Sequence, residues 1–428
     1  MAKNELITVY CFGQEIGRLG FDENRGISFF QYSQSFLESG KMKNLFPPNT
    51  KIIQRVAQTQ VFKTFSGNTF RSLPPMIADS LPDMFGNIIF KEWLESTHKD
   101  FSKITVLEQL AYVSNRGMGA LEFKPEKTIP KNATIVIEDI VEVLKKVMDT
   151  KERAAAIELD HESLLTLFKI GSSAGGARPK ILISEHKGDR TIIPGDLNYS
   201  DNYSHYLVKL NLDEVPYNRE MIEYCYYLTA IEAGIVMMDS KMIDGKHFAT
   251  KRFDRVNGQK KHVLTITGLT GWDYTDTTSP ESSYENLFQL LPFLNVPHAD
   301  SVQLFKRMVF NIIFCNKDDH FKNQSLIYDE LHDSWSLAPA YDLTYSLNPL
   351  INYTKTSRAL SVNGKKNGIS FEDVKAVADK FTIKNYKQII LEIQSTIPFW
   401  IDKANDLGIP KFIIKRIKND FSLLIQNT

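Results

Sequence analysis

The sequence has few cysteines, no excess of charge of either sign and no long apolar run. Its three cysteines are Cys11, Cys225 and Cys315, and none belongs to a C-x-x-C pair. Because they are odd in number and far apart, a disulfide framework and a structural zinc site are both disfavoured. No stretch approaches the roughly 20 apolar residues of a membrane-spanning helix, and the polar start lacks an apolar signal segment. We therefore expect a reducing, cytoplasmic setting and no membrane partner.

The charges balance, with 51 Lys and Arg against 51 Asp and Glu. Binding nucleic acid over the whole surface requires an excess of basic side chains, so that class of function is disfavoured. The 428 residues exceed one compact core, and 43% of them are apolar, which is ordinary for a globular protein. We expect two or three folded domains.

The order of local patterns predicts strands first and helices later. Alternating residues and turn signals predict antiparallel strands over 5–32. Helical periodicity follows near 85–96 and 105–114, a Pro- and Lys-containing linker covers about 124–133, and helices dominate after 284. This order favours an α+β protein over a repeating βαβ sheet.

The strongest chemical signal is the octamer N-K-D-D-H-F-K-N over 316–323, which follows an amphipathic helical run at 302–313. Asp318 and Asn323 stand five residues apart, the spacing of the kinase catalytic loop D-x-x-x-x-N. In that loop the Asp positions the substrate hydroxyl and the Asn holds magnesium. A charged turn after a solvated helix end is the alternative, because short motifs also match by chance.

A single carboxylate, Asp342, lies in the apolar segment 337–343 downstream of Asn323. Burial of an unpaired carboxylate is costly, so this residue needs a partner. Capping a helix or turn is one explanation. Magnesium binding is the other, and the order Asp318, Asn323, Asp342 favours it because kinases place their second metal carboxylate after the catalytic loop.

Two further segments contain residue types that are suited to binding ATP phosphates. Small residues over 171–177 allow close approach of backbone N–H groups to phosphates, although in isolation a flexible inter-strand loop is the favoured explanation. Lys209 lies in the apolar strand 206–210, which is typical of a kinase ATP lysine, or of an edge lysine that faces water. Glu220 or Glu223 on the next helix could pair with it.

Taken in order, these segments resemble the HipA family of bacterial toxin kinases. The similarity takes in S-S-A-G-G-A-R-P-K (172–180), L-V-K-L (207–210), Glu223-Tyr-Cys, K-R-F-D-R (251–255) and the two downstream loops. It implies an α+β, protein-kinase-like bilobal fold with a small β-rich N-terminal domain and a helical C-terminal lobe. The implied domains are 1–125 (N-terminal), 126–255 (kinase N-lobe) and 256–428 (helical C-lobe).

The resemblance also implies roles for individual residues. Asp318 would be catalytic, Asn323 and Asp342 would bind Mg²⁺, and Glu223 is a candidate ion-pair partner of Lys209. ATP contacts are implied at Ser173, Ala174, Gly175, Gly176, Ala177, Lys209, Lys251, Arg252, Phe253, His320 and Lys322. Ser173, with Ser172 the less favoured choice, would be the autophosphorylated serine. The chain departs from the family in the additional serine at 172, in acidic Asp319 and in basic Lys251.

The function implied is that of a Mg-ATP-dependent serine/threonine protein kinase acting as the toxin of a toxin–antitoxin pair. Its partners would be ATP, a protein substrate such as an aminoacyl-tRNA synthetase, and a HipB-like antitoxin through which it would reach DNA. Two alternatives remain. One is a degenerate kinase fold that serves as a partner-binding or co-repressor subunit. The other is a metal-dependent phosphohydrolase built on Asp318, Asp319 and His320, which requires more His or Asp ligands nearby.

Overall fold

The computed structural model describes residues 6–47, 50, 52–82, 84–127, 135–148, 164–166, 178–195, 200–212, 215–351 and 356–425. The chain forms two compact units. The first comprises Met1–Leu212, Ala249–Leu264 and Gly268–Gly271, and the second comprises Asp213–Phe248, Thr265–Thr267 and Trp272–Thr428. The domain boundaries suggested by the sequence, at residues 125 and 255, stay predictions.

An antiparallel five-stranded sheet begins the first unit. Its strands are β1 (Leu6–Cys11), β2 (Gln14–Asp22), β3 (Ile27–Tyr32), β4 (Gln60–Phe62) and β5 (Leu121–Lys124), in the order β4-β3-β2-β1-β5. Phe12 and Gly13 link β1 to β2 with φ of 49° and 76°. Two positive φ values are those of a type I′ turn, whose twist matches the flanking strands. The strands predicted over 5–32 are confirmed.

The first unit also contains five helices, which are α1 (Gln34–Ser39), α2 (Pro75–Ala78), α3 (Met84–Ser96), α4 (Val106–Val113) and α5 (Ile137–Met148) among its described residues. Thr105 caps α4, because its hydroxyl accepts from Glu108 N–H while the Glu108 carboxylate accepts from Thr105 N–H. This reciprocal arrangement satisfies two backbone donors that have no partner within the helix. The helices predicted near 85–96 and 105–114 are confirmed.

A second antiparallel sheet in the first unit contains β6 (Lys180–His186), β7 (Ile192–Pro194) and β8 (Tyr203–Lys209), with β6 between β7 and β8. The strand β9 (Ser240–Ile243) belongs to the second unit. The chain returns to the first unit along β10 (His247–Lys251) and continues as β11 (Arg255–Val256), β12 (Gln259–Lys260) and β13 (His262–Thr265).

A buried charged cluster fixes the segment after β10. The Asp254 carboxylate is fully buried, and it accepts from Arg252 Nη2 at 2.7 Å, Arg255 Nη1 at 2.8 Å and the Gly119 N–H at 2.9 Å. Burial alone raises the pKa of a carboxyl group, but the two guanidinium groups outweigh it and the pKa of Asp254 is lowered. The cluster thereby joins the loop before β5 to the segment after β10.

The second unit is mainly helical. Its helices are α6 (Arg219–Glu232), α8 (Tyr284–Phe293), α9 (His298–Ile313), α10 (Phe371–Lys380), α11 (Tyr386–Ser395), α12 (Ile397–Asp406) and α13 (Lys411–Asn419), and α7 (Ile266–Thr270) begins in it. One hairpin, β14 (Ser325–Asp329) with β15 (Ser334–Leu337), follows α9. The expected β-rich N-terminal region and helical C-terminal region are confirmed. Among the described residues, no helix is long and apolar enough to cross a bilayer.

Candidate active site

Helix α9 leads directly into the octamer 316–323. Its buried face includes Phe305, Met308 and Val309, which anchor it in the core of the second unit. The helix ends at Ile313, and Cys315 has a φ of 55°, so the chain reverses before the polar residues begin. A buried helix followed by a sharp turn places residues 316–323, called the catalytic loop after their predicted role, at a fixed position.

Asp318 and Asn323 lie within one loop and are joined by a hydrogen bond. Asn323 donates from Nδ2 to the Asp318 carbonyl oxygen at 2.8 Å. This bond fixes the carboxamide, so the oxygen Oδ1 is the atom that Asn323 can offer to a cation. The Asp318 side chain is 62% exposed, and its carboxylate lies 3.6 Å from Nε2 of His320. The loop therefore presents one solvent-accessible carboxylate and one oriented carboxamide.

Asp319, the next residue, is built into the core. Its side chain is fully buried and accepts from Arg358 Nη2 at 2.8 Å and from the Tyr284 hydroxyl at 2.8 Å. The Leu360 N–H approaches its other oxygen at 3.3 Å. Burial lowers the pKa of Arg358 by itself, but the Asp319 carboxylate outweighs this effect and the pKa is raised. Adjacent carboxylates thus have opposite roles, one exposed and one structural.

Residues 340–346 contain Asp342 and are called the metal loop after their predicted role. This loop is bonded to the catalytic loop at three points. Asn316 Nδ2 lies 3.4 Å from the Asp342 carbonyl oxygen, Lys317 N–H donates to Ser346 Oγ at 2.9 Å, and the Tyr341 hydroxyl donates to the Lys322 carbonyl at 2.8 Å. Two loops far apart in sequence are therefore held side by side. None of the three contacts uses the carboxylates of Asp318 or Asp342.

The oxygen atoms of this pair of loops suit magnesium. Mg²⁺ prefers oxygen ligands, and with nucleotides it typically takes one or two protein carboxylates together with phosphates and water. Asn323 Oδ1 and the Asp342 carboxylate are donors of that kind. Within the described part of the chain, no cluster of three or more His, Cys, Asp or Glu residues could hold a metal by itself. The donors present fit a magnesium ion that is shared with a nucleotide.

Tyr274 packs against two side chains of the catalytic loop, His320 and Lys322. Its ring centroid lies 5.0 Å from that of His320, and Lys322 Nζ lies 5.4 Å from the centre of the same ring. Contacts of this kind are favourable between an aromatic face and a cation. Two residues with a predicted ATP contact, His320 and Lys322, are thereby held by one aromatic side chain.

In the first unit, Lys209 ends strand β8 and is directly opposite Lys180 on β6. Both lysines are 6% exposed. Residues directly opposite on antiparallel strands share a face of the sheet. Since Lys180 shares this face with Lys209, it joins Lys209 as a candidate phosphate contact. The motif R-P-K contains Lys180, but only the strand register places it beside Lys209.

The remaining predicted residues fall in different places. Lys251 and Phe253 are partly exposed, whereas the Arg252 side chain is committed to Asp254 and could meet a ligand only through its backbone. Glu223 is buried on α6 in the second unit, so its pairing with Lys209 of the first unit stays a prediction. The phosphate-loop predictions lie outside the described residues: Ser172, Ser173, Ala174, Gly175, Gly176 and Ala177.

The residues that hold the loops in place could not be predicted from the sequence. Arg358 and Tyr284 both contact Asp319 but carry no motif. The only signal was the acidic residue at 319 itself, because a second carboxylate beside Asp318 needs a partner if it is buried.

Comparison with known proteins identifies a family for both parts of the chain. Residues 7–124 match the HipA N-terminal domain, and residues 172–401 match the HipA-like C-terminal domain. The HipA structure from the Shewanella oneidensis MR-1 complex of HipA, HipB and operator DNA aligns with a TM-score of 0.64. It has 16% identity, and the alignment covers 97% of this chain and 96% of that one. The likeness shows a common fold.

Two other relatives match over shorter lengths. A protein described as putative kinase Y4dM, from Sinorhizobium fredii, is 27% identical over 128 residues, which are 28% of this chain and 31% of that protein. The chain thus matches about a third of the length of that relative. The Helicobacter pylori proinflammatory kinase CtkA aligns with 51% of this chain and 83% of its own at 12% identity, and the TM-score of 0.37 is too low to indicate a shared fold. Since the C-terminal family match alone takes in more than half of the 428 residues, this chain belongs to the HipA family.

Proposed function

We propose that this chain is a Mg-ATP-dependent serine/threonine protein kinase. The observation that carries the proposal is the joined pair of loops, in which Asn323 is oriented by Asp318 and the loop of Asp342 is bonded alongside. Chain order and residue types match those of kinase catalytic and metal loops. Membership in the HipA family supports the same activity.

The residues have distinct tasks in this scheme. Asp318, the exposed carboxylate, accepts the hydrogen bond of a substrate hydroxyl and directs it toward the terminal phosphate. Asn323 and Asp342 hold magnesium, which when bound neutralises charge on the phosphate oxygens. Lys209, with Lys180 opposite it on the sheet, supplies positive charge for ATP phosphates. Positioning and electrostatic stabilisation account for most of the catalysis in phosphoryl transfer.

The structure argues against the phosphohydrolase alternative. That activity needs Asp319 as a ligand, yet its carboxylate is buried in the pair with Arg358. The degenerate-kinase alternative is disfavoured by the presence of Asp318, Asn323 and Asp342 together, because a binding subunit has no need of all three.

The biological role follows from the family. We propose that the chain acts as a toxin whose antitoxin is a HipB-like DNA-binding protein, since the HipA structure of similar fold was solved with HipB and operator DNA. DNA would be reached only through that partner. The protein substrate would belong to translation, with an aminoacyl-tRNA synthetase as the first candidate. Autophosphorylation at Ser173, or less favourably Ser172, would add roughly −1.5 to −2 charges and repel ATP phosphates.

Mass spectrometry of the purified chain with Mg-ATP tests the proposal. We expect phosphate on a serine of the wild-type chain and its loss in Asp318→Asn, with transfer slowed by at least about 100-fold. Asp402→Asn, which changes an exposed Asp on α12, is the control and should keep full activity. A folded Asp318→Asn variant with unchanged transfer would contradict the assignment. Peptide mapping then decides whether Ser173 or Ser172 carries the phosphate.

A further inference from the structure

A line of buried polar side chains runs behind the catalytic loop in the second unit. The Tyr284 hydroxyl donates to Asp319, and Asn311 Nδ2 donates to the Tyr284 hydroxyl oxygen at 3.0 Å. Asn316 Nδ2 then donates to Asn311 Oδ1 at 3.0 Å. Tyr284, Asn311 and Asn316 are each at most 1% exposed. A buried network of this kind rigidifies its members when their hydrogen bonds are made.

Asn316 stands at the end of this line, where the two loops meet. The same nitrogen that bonds Asn311 lies 3.4 Å from the carbonyl oxygen of Asp342, and the Asn316 carbonyl accepts from Arg358 Nη2 at 3.2 Å. Asn316 is therefore fixed from two sides by residues that do not belong to either loop. Through it, the ion pair of Asp319 and Arg358 is linked to the backbone of the metal loop.

The backbone at Asp342 is the point that needs such support. Its φ is 58°, in the left-handed region that side chains other than glycine seldom adopt. A residue held in that region is strained and persists only where its surroundings fix it. The direction in which a carboxylate leaves the backbone depends on that conformation. Contacts to the peptide groups of Asp342 thus bear on where its carboxylate lies.

The Asn316 side chain contributes to the fold only through its nitrogen. Its Oδ1 is buried, and among the described residues it has no hydrogen-bond partner. An unsatisfied buried acceptor is unfavourable, so an apolar residue of similar size would remove that penalty. Stability alone therefore gives only partial reason for a carboxamide at this position.

We infer that Asn316 is a positioning residue for magnesium, which holds the Asp342 backbone in the conformation that the metal-binding carboxylate requires. This inference rests on the proposed function. In this scheme Asn316 acts through the ligand Asp342 and does not itself touch the metal. Replacement of such partners typically lowers metal affinity by about 10–100-fold.

The test compares Asn316→Leu with wild type by calorimetric titration of Mg²⁺ into the chain saturated with ATP. We expect the midpoint for Mg²⁺ to rise about tenfold. ATP binding without metal should change little. Tyr328→Phe is the matched control, because it removes another buried tyrosine hydroxyl, which donates to Asp333 Oδ1 within the β14–β15 hairpin and to neither loop. It should lower the unfolding temperature without a shift in the Mg²⁺ midpoint.

Tyr284→Phe provides a second variant if Asn316→Leu does not fold. It removes one oxygen and breaks the line between Asp319 and Asn311, and it should raise the Mg²⁺ midpoint by a smaller factor. If the folded variants have the same Mg²⁺ midpoint as the wild type, the inference is overturned and the kinase proposal stays intact. A wild-type chain that binds ATP without any effect of Mg²⁺ would overturn both, so the two failures are distinguishable.

Discussion

Arg358 holds the carboxylate of Asp319 with two nitrogens, Nη2 at 2.8 Å and Nε at 3.2 Å, and neither side chain is more than 6% exposed. The pair fixes the residue next to the exposed Asp318. The Lys317 N–H donates to Ser346 Oγ, and the Lys317 carbonyl accepts from the Ala359 N–H. The backbone before Asp318 is therefore held by two further hydrogen bonds. The accessible carboxylate thus extends from an anchored backbone.

Removal of one member of this pair should destabilise the second unit strongly. Arg358→Met leaves the Asp319 charge buried without its main partner, and we expect a loss of about 3–5 kcal/mol in unfolding free energy. Urea denaturation measures the change. The exposed pair Lys403–Asp406, with side chains 38% and 64% exposed, is the control, and Lys403→Ala should cost less than about 1 kcal/mol. The double variant Asp319→Leu with Arg358→Met should be more stable than Arg358→Met alone. If the losses in unfolding free energy from the two single replacements add up in the double variant, the pairing is contradicted.

The opposed lysines of the first unit should act together on nucleotide binding. Lys180→Met and Lys209→Met each remove one positive charge from the same face of the sheet, so both should weaken ATP binding in a calorimetric titration. Loss of a charged hydrogen bond of this type is worth about 1.5–3 kcal/mol, or roughly 10- to 150-fold in affinity. Lys187→Met, which changes an exposed lysine just beyond β6, should leave the affinity as it is. An effect of Lys209→Met without one of Lys180→Met would remove Lys180 from the site.

Gly119→Ala should destabilise the first unit more than Gly13→Ala. Both glycines have a φ of 76°, so the conformational strain of an added Cβ is common to the two. At Gly13 no atom lies within 4 Å of that Cβ, whereas at Gly119 it would meet the Val263 carbonyl oxygen at 3.0 Å and the Val263 nitrogen at 3.1 Å. The strain alone is worth about 1–3 kcal/mol. Because the strain is common to both variants, the difference between their unfolding temperatures reports the contact with the Val263 backbone. Equal decreases in unfolding temperature would show that Val263 moves freely.

Acid should destabilise the chain in part through His262. Burial lowers the pKa of this imidazole from its usual 6.5 to about 3. Between these values the unfolded chain binds a proton that the folded chain does not, so stability falls as the pH falls. The contribution is intact above about pH 6.5 and is lost progressively toward pH 3, with a slope of at most about 1.4 kcal/mol per pH unit.

His262→Leu should therefore flatten the dependence of unfolding free energy on pH between about 4 and 6, measured by urea denaturation at a series of pH values. The exposed His298 is the control, since folding does not remove it from water, and its replacement should leave the slope unchanged. An identical slope in His262→Leu and wild type would show that other groups account for the acid response.

The order of strands and helices was predictable from the sequence because it depends on local periodicity. The alternation of Ile7, Val9 and Cys11 gave β1, and the apolar spacing before Asn316 gave α9. The hairpin of β14 and β15 was not predicted, because its strands are short and their pairing depends on burial against the rest of the second unit.

The sequence by itself determined which chemical groups stand at Asp318, Asn323 and Asp342 and in what order, since spacing along a loop depends only on the chain. Only the tertiary structure decided which of two adjacent carboxylates is exposed. Arg358 lies 39 residues beyond Asp319, and its contact requires the fold to bring the two segments together. The same holds for Lys180 beside Lys209, because strand register is set by the summed burial of a whole face and by no single motif.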